Sequence, residues 1–260
     1  MKYALLNGKI VEPNKNIKKA ICPLCGEIVI SKCGKIKIFH WAHKSKQNCD
    51  PWQENETEWH RNWKNNFPKE CQEVIMFDEN TGEKHIADVK TKTDIILEFQ
   101  HSYINTNEQC SREKFYKNVI WIVDANKSYN NFIKNKNDIT LKLFSKEKYF
   151  YTMYPLLLFP QKWLDSRSYV IFDFGIDDLY CIFPQKVNFK TIGMCMSKHE
   201  FIEKIQKQKY EKIFNQENIE QSLNNLNNES LSVNKYMANT SVKQIETELE
   251  TIEQLNLFKI

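Results

Sequence analysis

At 260 residues, 41% apolar and 27% charged, with a mean hydropathy of −0.60, the chain is long enough for one or two domains around a buried core. It contains no apolar run of roughly 18 residues, which excludes a membrane-spanning helix. Its eight cysteines are too sparse for a disulfide scaffold. The opening stretch from Met1 to Lys9 has too short an apolar run for a secretory signal, so the expected location is the cytoplasm. The net charge of +4 conceals an alternation. Residues 1–69 carry 13 Lys and Arg against 6 Asp and Glu; residues 70–125 carry 6 against 11. Residues 126–199 carry 11 against 6, and residues 200–260 carry 7 against 10. An acidic middle between basic flanks suits a metal-dependent enzyme acting on a polyanion, with carboxylates gathering cations and Lys or Arg holding phosphates. Ordinary surface variation in a Lys-rich chain produces the same pattern.

In chain order, residues 1–50 read as short strands and turns punctuated by Pro13, Pro23, Gly26 and Gly34. A helix is expected over 53–66, with Trp59, Trp63 and Phe67 on one face and Pro68 as its stop. Strands are expected at Glu70–Phe77, His85–Val89 and Asp94–Gln100, the first two joined by the turn residues Asp78 to Gly82. Asn105 or Thr106 caps a helix running to about Lys117. Val119–Val123 is then a buried strand, parallel to a neighbour because a helix precedes it. Ser168–Phe174 and Asp178–Phe183 read as a hairpin around Gly175. The aromatic-rich stretches 149–159 and 168–183 read as core rather than as a platform for bases. Residues 200–260, with the Asn-rich run Asn224–Asn228, read as a helical, partly flexible tail. That tail is a candidate surface for self-association or a protein partner.

Two constellations carry chemistry. Cys22-Pro23-Leu24-Cys25-Gly26 is a knuckle whose two thiolates can reach one zinc, and His40-Trp41-Ala42-His43 follows it. The preferred ligands are Cys22, Cys25, His40 and His43, with Cys33 and Cys49 as alternatives. Such a closed site stabilises a small module and says nothing of catalysis. The second constellation is acidic. Asp88 ends a short strand, and Glu98 interrupts the apolar run that follows, with Gln100 on the same face at period two. A carboxylate in such a run is costly unless paired or bound to metal, and two carboxylates on adjacent strands can share Mg²⁺. The alternative is an edge strand with Glu98 facing solvent.

The knuckle, the His-aromatic-Ala-His, and then E-T-E-W-H-x-x-W-K, H-x-A-D-V, E-F-Q-H-S, R-E-x-F-Y and I-W-I-V follow one another over residues 1–125. In this order they resemble the competence protein CoiA family of nuclease-like proteins. The resemblance implies an α/β (α+β) fold, with a zinc-binding module at 1–52 and a PD-(D/E)xK nuclease-like core at 53–145. That core has α-β-β-β-α-β order. An aromatic-rich β extension at 146–199 and the tail at 200–260 follow. It implies Asp88 and Glu98 as the motif carboxylates that bind Mg²⁺ or Mn²⁺, Gln100 in place of the usual lysine, and Glu56 as the acidic residue of the first helix. Lys64, four residues after His60 on the same helical face, is a candidate replacement cation. His60, His85 and His101 are candidate proton donors or phosphate contacts. The implied partner is DNA. The rival expectation is a zinc-containing DNA-binding adaptor with a degenerate site.

Overall fold

The computed structural model describes residues 1–44, 49–52, 56–136, 142–143, 148–187 and 189–207, with isolated positions 214, 224, 225 and 228. The chain divides into a large unit, residues 1–213, and a small one, residues 214–260. Every element named below belongs to the first.

Five short antiparallel strands open it: β1 (Ala4–Leu6), β2 (Lys9–Val11), β3 (Lys19–Ile21), β4 (Ile28–Lys32) and β5 (His40–His43). Their order is β2-β1-β3-β4-β5. Asn7 and Gly8 both take positive φ, 51° and 75°, which a two-residue hairpin turn between β1 and β2 requires. Alternation then buries Ala4, Ala20, Val29 and Trp41 against Met1 and Cys22, forming a small core of this sheet's own.

The next elements are α1 (Glu58–Lys64), β6 (Gln72–Phe77), β7 (Lys84–Lys90), β8 (Ile96–Gln100), α2 (Thr106–Tyr116) and β9 (Val119–Asp124). Helix α1 is shorter than the expected 53–66. Thr57 caps it, its hydroxyl accepting from the His60 amide at 3.2 Å, and residues 53–55 lie outside the described ones. The helix ends before Phe67, which is nonetheless buried. Strand β6 starts at Gln72 because Lys69–Cys71 forms a 3₁₀ turn. Asn105 caps α2, accepting from the Glu108 amide at 2.9 Å.

The remaining elements are α3 (Tyr129–Lys136), β10 (Lys142–Leu143), β11 (Tyr149–Thr152), β12 (Tyr169–Asp173), β13 (Asp178–Val187), β14 (Lys190–Ser197) and α4 (Lys198–Gln206). One nine-stranded sheet runs β10-β11-β14-β13-β12-β9-β8-β7-β6. At its centre β8, β9 and β12 are parallel, and the other pairings are antiparallel. All five residues of β8 are buried, as befits a strand covered on both faces. The strands from 149 to 197 therefore continue the sheet that begins at β6. Their aromatics Phe150, Phe172, Phe174 and Tyr180 pack with Phe132 and Phe159 in the core. Of the expected tail, α4 is described, and nearly all of 208–260 lies outside the described residues. Among the described residues, no helix is long and apolar enough to cross a membrane.

Candidate functional site

The first centre lies in the N-terminal sheet. Cys22, Cys25, His43 and Cys49 offer ligand atoms that all lie within 4.8 Å of one another. Cys25 Sγ is 3.2 Å from His43 Nε2, and Cys22 Sγ is 3.7 Å from Cys49 Sγ. A zinc tetrahedron with Zn–S bonds of ~2.3 Å has edges of ~3.8 Å, so the set fits such an ion. Burial raises the Cys22 thiol and pushes Cys49 up to about 12, so a cation among them is what would hold these sulfurs as thiolates. Burial lowers His43, which favours the neutral imidazole that binds metal.

The expected ligand His40 is not part of this set; Cys49 takes its place. His40 and His43 both lie in β5, and an odd separation in a strand sends two side chains to opposite faces. His43 shares the face of Trp41, which packs against Cys22 and its neighbours, while His40 Nδ1 lies 2.9 Å from the Ile38 carbonyl.

The second centre is a row of carboxylates across three strands. The register of β6 and β7 sets Glu73 between the pairs Gln72–Val89 and Val74–Ala87, opposite Asp88. The register of β7 and β8 continues from Val89–Leu97 to bring Glu98 beside Asp88. There the ladder gives way to side chains. The Asp88 amide donates to Glu98 Oε1 at 3.1 Å, and the Phe99 amide donates to Asp88 Oδ2 at 3.0 Å. Asp88 thus lies within its strand, not at its end, because β7 runs on to Lys90. Glu73 holds a positive φ of 50°, a strained backbone for a side-chain-bearing residue within a strand.

Nitrogen-bearing side chains face this row from two helices. Helix α1 presents His60 and Lys64 one turn apart. His60 Nε2 lies 2.9 Å from Asp88 Oδ2. Lys64 Nζ lies 2.8 Å from Glu56 Oε1, 2.8 Å from Glu73 Oε1 and 3.8 Å from Asp88 Oδ1. Opposite them, Arg112 of α2 donates from Nη1 to Glu98 Oε2 at 3.0 Å. The helix α1 is itself held by β12: Trp59 and Trp63 donate their indole N–H groups to Asp173 Oδ2 at 3.1 and 2.8 Å. The groups enclose a cleft with about 50 Å³ of space, enough for an ion and a few waters.

The electrostatics separate the carboxylates. Burial alone would raise Asp88, but the His60 and Lys64 charges and hydrogen bonds outweigh it and hold Asp88 at about 2. Burial and the Asp88 charge push Glu98 up to about 8, against the pull of Arg112. Burial works against Lys64, yet Glu73, Glu56 and Asp88 together raise it and keep it charged. Burial also raises Glu56, but hydrogen bonds from Arg61 and the charges of Lys64 and Arg61 bring it to about 2. A divalent cation held by Asp88 and Glu98 would offset the burial and the Asp88 charge that push Glu98 up.

Of the expected site residues, Glu56, His60, Lys64, Asp88 and Glu98 all line this cleft. Gln100 does not; it is buried in β8 and its amide donates to the Ser102 carbonyl at 3.1 Å. His85 sits between Asp50 and Glu83, each 2.8 Å from a ring nitrogen. His101 lies 2.6 Å from Asp124 at the ends of β8 and β9. Glu73 and Arg112 have no assigned role in the sequence reading. Glu73 carries no local signal at all. Arg112 does, as a charged residue one turn after Glu108 on a helix face that packs inward.

The chain therefore combines a Cys₃His centre in a small antiparallel sheet with a carboxylate cleft in a large mixed sheet. Residues 8–51 match the family model described as "Competence protein CoiA, N-terminal domain". That match supports membership of the competence protein CoiA family. No curated protein and no solved structure matches the chain.

Proposed function

We propose that this chain is a metal-dependent nuclease that hydrolyses phosphodiester bonds in DNA, in processing or recombination linked to DNA uptake, or in defence. The observation that carries the reading is the contact between Asp88 and Glu98 on adjacent strands, with a buried, charged lysine facing them. The α-β-β-β-α-β order from Glu58 to Asp124 supports assigning this part to the PD-(D/E)xK type. Asp88 and Glu98 would hold Mg²⁺ or Mn²⁺, which when bound activates a water and clamps the scissile phosphate. His60 fixes the orientation of the Asp88 carboxylate through its 2.9 Å contact. Lys64 supplies the fixed positive charge that Gln100 lacks, and it stabilises the charge that develops on the phosphoryl oxygens.

The adaptor reading, DNA binding without cleavage, draws its support from Gln100 and its turn toward Ser102. Lys64 answers it: a cation buried beside Asp88 needs no lysine at position 100. The test is cleavage of plasmid and single-stranded DNA by the zinc-loaded protein with Mg²⁺ or Mn²⁺, wild type against Glu98→Ala. Metal-dependent cleavage by the wild type alone is expected. If folded wild type cleaves no DNA or RNA, the adaptor reading replaces this one.

A further inference from the structure

The two centres are joined by four residues. Cys49 belongs to the thiolate cluster, and Asp50, Pro51 and Trp52 follow it directly to the wall of the carboxylate cleft. Asp50 Oδ1 accepts from the Trp52 amide at 3.0 Å and lies 2.8 Å from His85 Nδ1, while its Oδ2 accepts from the Ile86 amide at 2.7 Å. The Trp52 ring stacks on His85, centroids 3.2 Å apart and planes within 10°. The Trp52 carbonyl accepts from Arg112 Nη2 at 2.6 Å, and Arg112 Nη1 holds Glu98.

We propose that residues 49–52 form a strap through which the Cys₃His centre positions Glu98, with Arg112 as the positioning residue it acts on. The segment has no helix or strand of its own, so its order carries a cost in backbone entropy that its contacts must offset. The cluster fixes one end through Cys49, and the bonds of Asp50 and Trp52 fix the other. Releasing Cys49 leaves that cost to Asp50 and Trp52 alone, and the Arg112 fork loses one of the two acceptors that aim it, the Trp52 carbonyl, and keeps only Glu108 beside it. Coupling of this kind is reciprocal: occupancy of the cleft tightens the cluster as much as the cluster tightens the cleft. The geometry stands by itself; its consequence for a divalent cation at Glu98 rests on the function proposed above.

The full-length chain, zinc-loaded and then stripped by a chelator, provides the test, read by amide hydrogen exchange and by Mn²⁺ binding followed by electron paramagnetic resonance. Stripping is expected to speed exchange at Ile86 and Asp88 by about tenfold or more while the amides of β12 keep their protection. It is expected to weaken Mn²⁺ binding by roughly tenfold, the usual range for loss of an outer-shell support. Zinc-loaded Arg112→Gln should free the Asp88 amide and leave Ile86 protected. Zinc-loaded Asp50→Ala should free both, which carries the test even where the stripped chain unfolds as a whole. Unchanged exchange at Asp88 in Asp50→Ala, or at both amides in a stripped and folded chain, overturns the strap. Absence of Mn²⁺ binding to the wild type defeats the nuclease reading instead, and the exchange result stands apart from it.

Discussion

The Cys₃His centre and the carboxylate cleft solve opposite problems. The first gathers four soft or borderline ligands within 28 residues of chain, from Cys22 to Cys49, and in the described residues no lysine or arginine is paired with them. The second gathers carboxylates from a loop, three strands and a helix edge, and sets Lys64, Arg61 and Arg112 among them. A cluster of thiols and imidazole is neutral until a metal arrives, so it needs no counter-charge. Buried carboxylates are charged at once, so the fold must supply cations or raise a pKa, and here it does both. The difference separates a centre built to close around an ion from one built to stay balanced with or without it.

The sharpest way to break this contrast is through the ligands. Cys49→Ser and Cys22→Ser should each abolish stoichiometric zinc and unfold the N-terminal sheet, whereas His40→Ala should retain one zinc per chain; metal analysis and circular dichroism decide. Retained zinc in Cys49→Ser would return the fourth position to another residue. Next in size, Asp88→Ala and Glu98→Ala should each reduce metal-dependent DNA cleavage at least about a thousandfold, some 4 kcal/mol of transition-state stabilisation, with zinc content unchanged. A variant that cleaves at near wild-type rate would remove that carboxylate from the site.

Lys64→Met leaves Glu56 and Glu73 buried beside a missing partner and should cost about 3 kcal/mol of stability by urea unfolding. A loss below about 0.5 kcal/mol, within the range of an ordinary surface change, would mean that Arg61 suffices. Acid should act through the same network. Glu56 is held at about 2 in the folded chain against an ordinary value of 4.5, so its contribution is complete above pH 4.5 and is lost as pH falls toward 2. Glu56→Gln should flatten the stability profile across that window, and an unchanged acid limb would assign it elsewhere. The smallest effect is expected from Gln100→Lys, which should change the cleavage rate by less than about threefold, under 1 kcal/mol, because Lys64 already stands beside Asp88. A large rise in rate would show that charge at position 100 was missing.

Spacing and periodicity alone determined much of this protein. The knuckle Cys22–Cys25 and the interrupted apolar run around Glu98 are local features, because ligand bite and strand alternation act over a few residues. The order α-β-β-β-α-β was legible for the same reason, through the helical spacing of Trp59 and Trp63, the cap at Asn105 and the turn at Gly82. What only the tertiary structure decided depends on register and approach. Cys49 displaced His40 because the face of β5 that carries Trp41 is the buried one, and nothing near His40 announces which face that is. Glu73 entered the cleft because β6 pairs with β7 in one register, under a strained φ that no residue type there predicts. Lys64, rather than Gln100, became the cation beside Asp88 because α1 is hung from Asp173, more than a hundred residues away along the chain. A side chain's type is written in the sequence; the charge it meets is set by strands and helices that arrive from elsewhere.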